Sequence, residues 1–452
     1  MRKVTILGAG LVGSVLSILL RKRGYEVEIY ERRPDLRTAT IGAGRSINLA
    51  MSTRGWKALE LAGLRAEIEK IAIPMPGRFL HQADGTSAFQ AYGKNGEAIY
   101  SVSRGELNKK LMDLAEENGV KIHFNQACTK VDVAQNIIEL KAADGSNQSV
   151  KCDLLFGADG AFSALRTHMA YLDRTDFQQF YINSGYKELC IPPDAAGNFQ
   201  MEKNALHIWP RHNYMMIGLP NNDGSFTCTL FFPFEGSPSF DSVKTSEEVL
   251  AFFKEQFPDA VPLMPTLLED YTHNPVSSLI TTKIYPWTYK DQSCLIGDAA
   301  HAIVPFYGQG MNAGFEDCSV LDELMEQYGE DWATILPEFQ KSRKPNADAV
   351  AELALKNFIE MRDKVADPKF LERKKIEKDL GVRFTGVFNS VYEMVSFSHT
   401  PYAYALGAME AQDWLLEQIM SHGDYFSNIE TPTFQTTLDD LMAAYTAKVK
   451  QL

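Results

Sequence analysis

Three short stretches of this 452-residue chain combine glycine with a carboxylate. That pairing lets a backbone close around a phosphate while an acceptor holds a sugar hydroxyl. The first is Gly8-x-Gly10-x-x-Gly13, with Glu31 about twenty positions further on. The second is Asp159-Gly160, with Arg166 close behind. The third is Gly297-Asp298, followed after Pro305 by Gly308, Gly310 and Gly314. Glycine permits close backbone approach, and N–H groups gathered at a helix N-terminus form an anion site. An ionised aspartate or glutamate only accepts hydrogen bonds, which suits a ribose or ribityl hydroxyl.

Such residues need strand-to-helix turns to carry them. Residues 4–7 form a short β-run, an apolar helical stretch follows to about Arg23, Gly24 is a natural C-cap, and 25–30 reads as a second strand ending at Glu31. Together these make the dinucleotide-binding βαβ unit, which by itself leaves FAD and NAD open. Residues 294–296 are a further strand, arriving at Gly297-Asp298, with a long helix predicted over 314–327. Residues 152–160 form a strand-to-turn of the same kind. Nucleotide-type elements at two distant places, closing on one long cofactor, suggest FAD.

Residues 74–92 look like an inserted hairpin, with strand-like 78–82, a turn signal at Asp84-Gly85 and a return over 88–92. A three-residue loop at 84–86 sets Arg78 directly opposite Tyr92, where a guanidinium fork and a hydroxyl could clamp a carboxylate. A two-residue loop puts them on opposite faces, and a solvated arginine beside a half-buried tyrosine is the plain alternative. The glycine-rich stretch 42–50 could contact a flavin or serve as a connection. Arg104, at the start of a helix to about Asn118, could reach a phosphate or lie on the surface. From 177 to 233, short runs rich in aromatic and β-branched residues predict an antiparallel sheet as a separate layer. After Lys344-Pro345 the chain is almost wholly helical. There Asn357 shares a face with Leu353, Ala354 and Met361, and Tyr392 with Phe388 and Val395. Core packing with a local hydrogen bond is the ordinary account of both.

The expected fold is α/β: an FAD-binding Rossmann-like domain (1–75, 100–175 and 280–345), an inserted substrate domain that is mainly antiparallel sheet (76–99 and 176–279), and a C-terminal helical region (346–452) closing the substrate pocket. A formal net charge of −13 argues against nucleic acid or an anionic membrane as partner. Six scattered cysteines (Cys128, Cys152, Cys190, Cys228, Cys294 and Cys318) without C-x-x-C fit reduced thiols in a cytosolic protein, and no metal-ligand spacing appears. No apolar run approaches the roughly 20 residues of a membrane span, and the glycine spacing explains the N-terminal apolar run better than a signal peptide does. A soluble, cytoplasmic protein is expected. There is no second G-x-G-x-x-G for a tightly held pyridine nucleotide, and no H-E-x-x-H or G-x-S-x-G.

In this order the three turns resemble those of the single-component aromatic flavoprotein monooxygenases (the para-hydroxybenzoate hydroxylase fold), over roughly residues 1–345. Within that class the kynurenine 3-monooxygenase family is similar along nearly the whole chain. The likeness rests on R-S-I-N-L-A (45–50), the hairpin of Arg78 and Tyr92, S-V-S-R (101–104), L-H-I-W-P-R (206–211), V-P-F-Y-G-Q-G-M-N-A-G-F-E-D (304–317), N-F-I-E-M-R (357–362) and Y-x-M-V-x-F-S (392–398). The resemblance implies that Arg78 and Tyr92 hold the carboxylate of L-kynurenine, that Asn357 and Tyr392 complete the amino-acid pocket, and that Phe306 lies near the ring and the flavin. It implies FAD contacts at Val12, Glu31, Arg33, Ala50, Arg104, Asp298, Met311 and Asn312, beside Gly8, Gly10, Gly13, Asp159 and Gly310 of the turns. It further implies NADPH as transient co-substrate, O2, and hydroxylation to 3-hydroxykynurenine in tryptophan degradation. A flavin C4a-hydroperoxide would carry the chemistry, so no catalytic side chain is expected. Tyr307 stands where animal members look to have Phe. Those members also carry a C-terminal membrane anchor, whereas this chain ends in Lys448-Val449-Lys450, so a soluble bacterial-type enzyme is expected, its oligomeric state open. The rival expectations are a same-fold hydroxylase of another aromatic and a flavoprotein reductase or redox sensor.

Overall fold

A computed structural model describes residues 2–38, 48–93, 96–361 and 368–452. The glycine-rich stretch 42–47, with Arg45, Ser46 and Ile47 of the R-S-I-N-L-A motif, lies outside them, as does Arg362.

A six-stranded sheet organises the cofactor half. Its order is Thr288–Tyr289, Ser293–Leu295, Leu154–Gly157, Lys3–Leu7, Glu26–Tyr30 and Lys121–His123, parallel throughout except for the first pair. Val4, Ile6, Val27, Ile29, Leu154 and Phe156 are buried, as befits a parallel sheet covered on both faces. Three neighbouring strands end in the three glycine-carboxylate turns: Lys3–Leu7 at Gly8, Leu154–Gly157 at Asp159-Gly160, and Ser293–Leu295 at Gly297-Asp298. Ligands of open α/β sheets bind outside the carboxyl ends of strands, so topology gathers what the sequence scatters.

The third turn differs from expectation. After Asp298 come a single helical turn, Asp298–His301, and a 3-10 turn, Pro305–Tyr307; the long helix is Gly310–Tyr328 and starts four residues before 314. Two of the three glycines therefore shape its approach and first turn.

The second layer is one seven-stranded sheet in the order Ser277–Tyr285, Asp176–Ile191, Phe226–Pro233, Tyr214–Pro220, Leu206–Arg211, Gly77–His81 and Ser87–Ala91. The inserted hairpin joins it through a parallel pair, Leu206 beside Arg78 and Ile208 beside Leu80, the other pairs being antiparallel. Its outermost strand continues to Tyr285, past the expected boundary at 279. Alternation sorts the faces. His207, Trp209, Met216, Leu230 and Phe232 point toward Phe252 and Phe253 of the helix Ser246–Gln256 and Leu267 of the helix Leu267–His273, while Ile208, Met215, Ile217 and Phe231 look the other way.

The helix Trp332–Ile359 runs unbroken through Pro337 and Pro345, so the expected boundary at 345 falls inside it. Leu336, Phe339, Ala347, Val350 and Leu353 form one buried stripe, which outweighs the N–H lost at each proline. The helices Pro368–Arg383, Val391–Ser396, Tyr402–Ser421 and Pro432–Val449 share a separate apolar core. Among the described residues no helix is long and apolar enough to cross a membrane.

Candidate active site

Two cavities, of about 460 and 300 Å³, join at Gly10, Arg104, Gly160 and Asp298 into one channel between the two layers. The larger is lined by Gly8, Glu31, Arg33 and Asp159. The smaller holds Val12, Ala50, Gly310 and Met311 and, at its far end, Arg78, Tyr92, Phe306, Tyr307, Asn357 and Tyr392.

The glycines of the first fingerprint divide by role. A Cβ on Gly8 would lie 2.6 Å from the Ala158 carbonyl oxygen, and one on Gly13 only 2.2 Å from that of Gly8; both positions are needed for close packing. A Cβ on Gly10 or Gly160 meets nothing within 4 Å and would project into space bordering the channel. A bare backbone cradle beside Arg104 fits a pyrophosphate.

Glu31 is buried at the rim. One carboxylate oxygen accepts the Ala9 N–H at 2.8 Å, and the other accepts the backbone N–H and Nε of Arg33, each at 2.9 Å. Burial alone would raise its pKa, but Arg33 and the two backbone donors hold it below the usual carboxylate range. The ion fixes the glycine loop and retains acceptor capacity for a hydroxyl. Asp159 is buried too, and burial raises its pKa; Oδ2 accepts the Ala164 N–H at 2.6 Å while Oδ1 has no partner. Arg166 donates to the carbonyls of Ala161 and, at 3.0 Å, Ala299, tying the second turn to the third. Asn312 is not brought to the channel by its side chain: Oδ1 accepts the Ser52 N–H at 2.8 Å, and Nδ2 donates to Ala50 and Gly308 carbonyls at 2.9 and 2.8 Å. It braces the channel wall, and only its backbone N–H, in the first turn of Gly310–Tyr328, belongs to a helix-terminal anion site.

At the far end the hairpin register departs from the expected one. The loop is 83–85 rather than 84–86, closed by Gly85 N–H to Gln82 O at 3.1 Å and Gln82 N–H to Thr86 O at 2.8 Å, with Gly85 at φ +83°. Arg78 therefore faces Gln90, whose Oε1 accepts its Nε at 3.2 Å, and the Tyr92 N–H donates to Pro76 O at 3.0 Å. The slip is two residues, so Arg78 and Tyr92 keep a common face.

Tyr92 stacks on Tyr392 with centroids 5.3 Å apart, and Tyr392 on Tyr307 at 5.8 Å. Burial raises all three phenols above the ordinary tyrosine range against the pull of Arg78, so they stand as neutral donors. The Tyr92 hydroxyl is buried without a partner. One guanidinium beside a column of phenols is a receptor for a carboxylate. Asn357 donates Nδ2 to Phe306 O at 2.7 Å, leaving its Oδ1 to accept. Phe306 stacks on Phe358 at 4.2 Å and tilts against Phe231 at 4.9 Å. Sequence reading missed the floor, Ile208, Met215, Ile217, Leu219, Thr229 and Phe231, although the period-two alternation over 206–231 was its signal. Among the described residues lining this end, none is a carboxylate or a histidine.

A nucleotide-shaped cradle across three strand ends, opening on an apolar chamber, defines an FAD-binding flavoprotein. A family model described as an FAD binding domain matches residues 1–354. The chain is 48% identical over 442 residues to kynurenine 3-monooxygenase of Flavobacterium psychrophilum, covering 98% of each chain. It is 51% identical to that of Myxococcus xanthus, covering 90% of this chain and 88% of that one, and 47% identical to that of Dictyostelium discoideum, covering 95% of each. In fold it is similar to 2-methyl-3-hydroxypyridine-5-carboxylic acid oxygenase (TM-score 0.65, 22% identity, 82% of this chain and 95% of that). It is similar also to Klebsiella pneumoniae HpxO complexed with FAD (TM-score 0.65, 21% identity, 85% and 96%). The chain belongs to the kynurenine 3-monooxygenase family.

Proposed function

We propose that the protein hydroxylates L-kynurenine to 3-hydroxykynurenine, consuming NADPH and O2 and releasing water, with FAD lying along the channel. The observation that carries this reading is the donor-only column of Arg78, Tyr92, Tyr307 and Tyr392 at the closed end of a chamber continuous with the nucleotide cradle.

Gly8, Gly10, Gly13, Arg104 and Asp159 would surround the pyrophosphate region, Glu31 and Arg33 the adenosine ribose, and Asp298 the ribityl hydroxyls. Val12, Ala50, Gly310, Met311 and the backbone of Asn312 would border the ring. When bound, FAD takes the reducing equivalents of NADPH and activates O2. Arg78 and Tyr92 fix the substrate carboxylate, while Asn357 and Tyr392 orient the remainder of the amino-acid chain. Phe306, backed by Phe358 and Phe231, sets the plane of the aromatic ring. The aniline nitrogen enriches its ortho carbon, so the reaction calls for placement and dryness rather than a protein base, in keeping with a chamber floored by apolar side chains.

The test is NADPH oxidation by the purified protein in air, with and without L-kynurenine, followed by product mass. Stimulated oxidation and a product one oxygen heavier, matching authentic 3-hydroxykynurenine, are expected. Stimulation yielding only H2O2 would mean that kynurenine binds but is misplaced, and no response would overturn the substrate.

A further inference from the structure

Arg54 belongs to the cofactor half, in the first turn of the helix Thr53–Leu61, yet its side chain holds the opposite wall of the substrate chamber. It is 1% exposed. Nε donates to Val395 O at 3.3 Å, one terminal nitrogen donates to Met394 O at 3.4 Å and to Thr400 O, and the other pairs with Glu316. The guanidinium also lies over the Tyr402 ring, 3.9 Å from its centroid. Met394 and Val395 sit in the last turn of the helix Val391–Ser396, where carbonyls have no partner within the helix. Six residues cannot hold a helix by themselves. A capping box of Ser390 and Glu393 fastens the N-terminal end, and Arg54 supplies a cation and donors at the negative end. This helix carries Tyr392, and Phe397 follows it; both rings contact Tyr92.

The charge network behind Arg54 runs on to the cofactor turn. Glu316 also accepts from Arg343 at 2.6 Å, Arg343 donates to Asp317 at 2.7 Å, and Asp317 accepts the Gly297 N–H at 3.0 Å and pairs with His301 at 2.6 Å. Arg54 and Arg343 balance Glu316 and Asp317, which a buried network requires.

We infer that Arg54 is a positioning residue: it seats the helix Val391–Ser396, and with it Tyr392, against the substrate end, anchoring that wall to the Gly297-Asp298 turn. The inference rests on the proposed function for its kinetic readout only. The test is the double variant Arg54→Met/Glu316→Gln, which removes one charge of each sign and leaves Arg343 with Asp317. Full flavin content is expected, with KM for L-kynurenine raised at least tenfold, product formed per NADPH at least halved, and faster amide hydrogen exchange over 391–397 in the substrate-free protein. Wild-type KM, coupling and exchange would overturn the proposal. Arg54→Lys, which keeps the charge but cannot span three carbonyls, should show the same changes in milder form. Should the double variant lose its flavin, wild-type exchange over 391–397 in the lysine variant would overturn the positioning role. A wild-type enzyme indifferent to kynurenine would sink the functional reading, while the exchange result would still decide the role of Arg54.

Discussion

At the cofactor end the walls are main chain: strand ends, the bare faces of Gly10 and Gly160, and the first turn of Gly310–Tyr328. At the substrate end they are side chains from four distant segments, and each is held by another side chain. Gln90 steadies Arg78, Asn357 grips the turn of Phe306, and Arg54 caps the helix of Tyr392. A wall of backbone is sensitive to added atoms and indifferent to most exchanges of side-chain chemistry. A wall of interlocked side chains is vulnerable to single deletions, and its failures should leave the other end standing.

Gly10→Val should produce the largest effect. Its Cβ meets no protein atom, so the chain should fold with little change in Tm yet purify colourless, the added side chain filling the cradle. Gly13→Val, driven against the Gly8 carbonyl 2.2 Å away, should instead reduce soluble yield. Absorbance near the flavin maximum, set against thermal melting, separates the two; a yellow Gly10→Val protein would break the backbone-cradle reading.

Arg78→Ala attacks the opposite end. Removing one partner of a buried, charge-assisted contact typically costs about 2–5 kcal/mol, so KM for L-kynurenine should rise about 30-fold or more. Flavin should remain at full occupancy. Loss of FAD from this variant would refute the assigned role and the independence of the two ends.

The same contrast explains what was legible in the sequence. The glycine-carboxylate turns are local, because a tight turn and a backbone cradle each demand glycine at a fixed offset, and all three proved to be strand ends. Asn312 was assigned to the cofactor by resemblance, but its side chain braces Ala50 and Gly308, a partnership no spacing announces. Arg78 and Tyr92 were placed on one face through a register wrong by two, a slip that alternation forgives. The helix from Gly310 was begun late, since its glycines read as loop. Ile217, Leu219 and Phe231 alternate visibly, yet nothing local says which face of a sheet meets a ligand. That is settled by the helices burying the other face. The seat of Tyr392 on Arg54 joins residues more than three hundred positions apart, beyond any local pattern.

The smallest effect concerns the mounting of the Arg78 hairpin and is read through pH. His207 Nε2 lies 2.8 Å from the Glu202 carbonyl, which can only accept, so this nitrogen carries a proton. Its Nδ1 must then accept from His81 Nε2 at 2.9 Å, and His81 Nδ1 donates to Asp259 at 2.7 Å. His81 ends the strand that carries Arg78, so this relay pins the hairpin to the sheet. A second proton on His207 would set two N–H groups head to head. Burial lowers the His207 pKa to about 4, from an ordinary value near 6.5. Between those values the unfolded chain binds the proton and the native protein does not, so stability is complete above about pH 6.5 and is lost as pH falls toward 4, by up to about 3 kcal/mol. Asp259 adds to the loss only at lower pH, because the bonds from His81 and Trp209 offset burial and hold its carboxyl below the usual range. His207→Gln can still donate to Glu202 and accept from His81 without titrating. Its Tm should therefore fall less than that of the wild type between pH 7 and 4.5. In the wild type KM for L-kynurenine should climb over this interval before flavin is released. Equal slopes for variant and wild type would detach the hairpin from this relay, and flavin lost ahead of substrate affinity would reverse the order of fragility between the two ends.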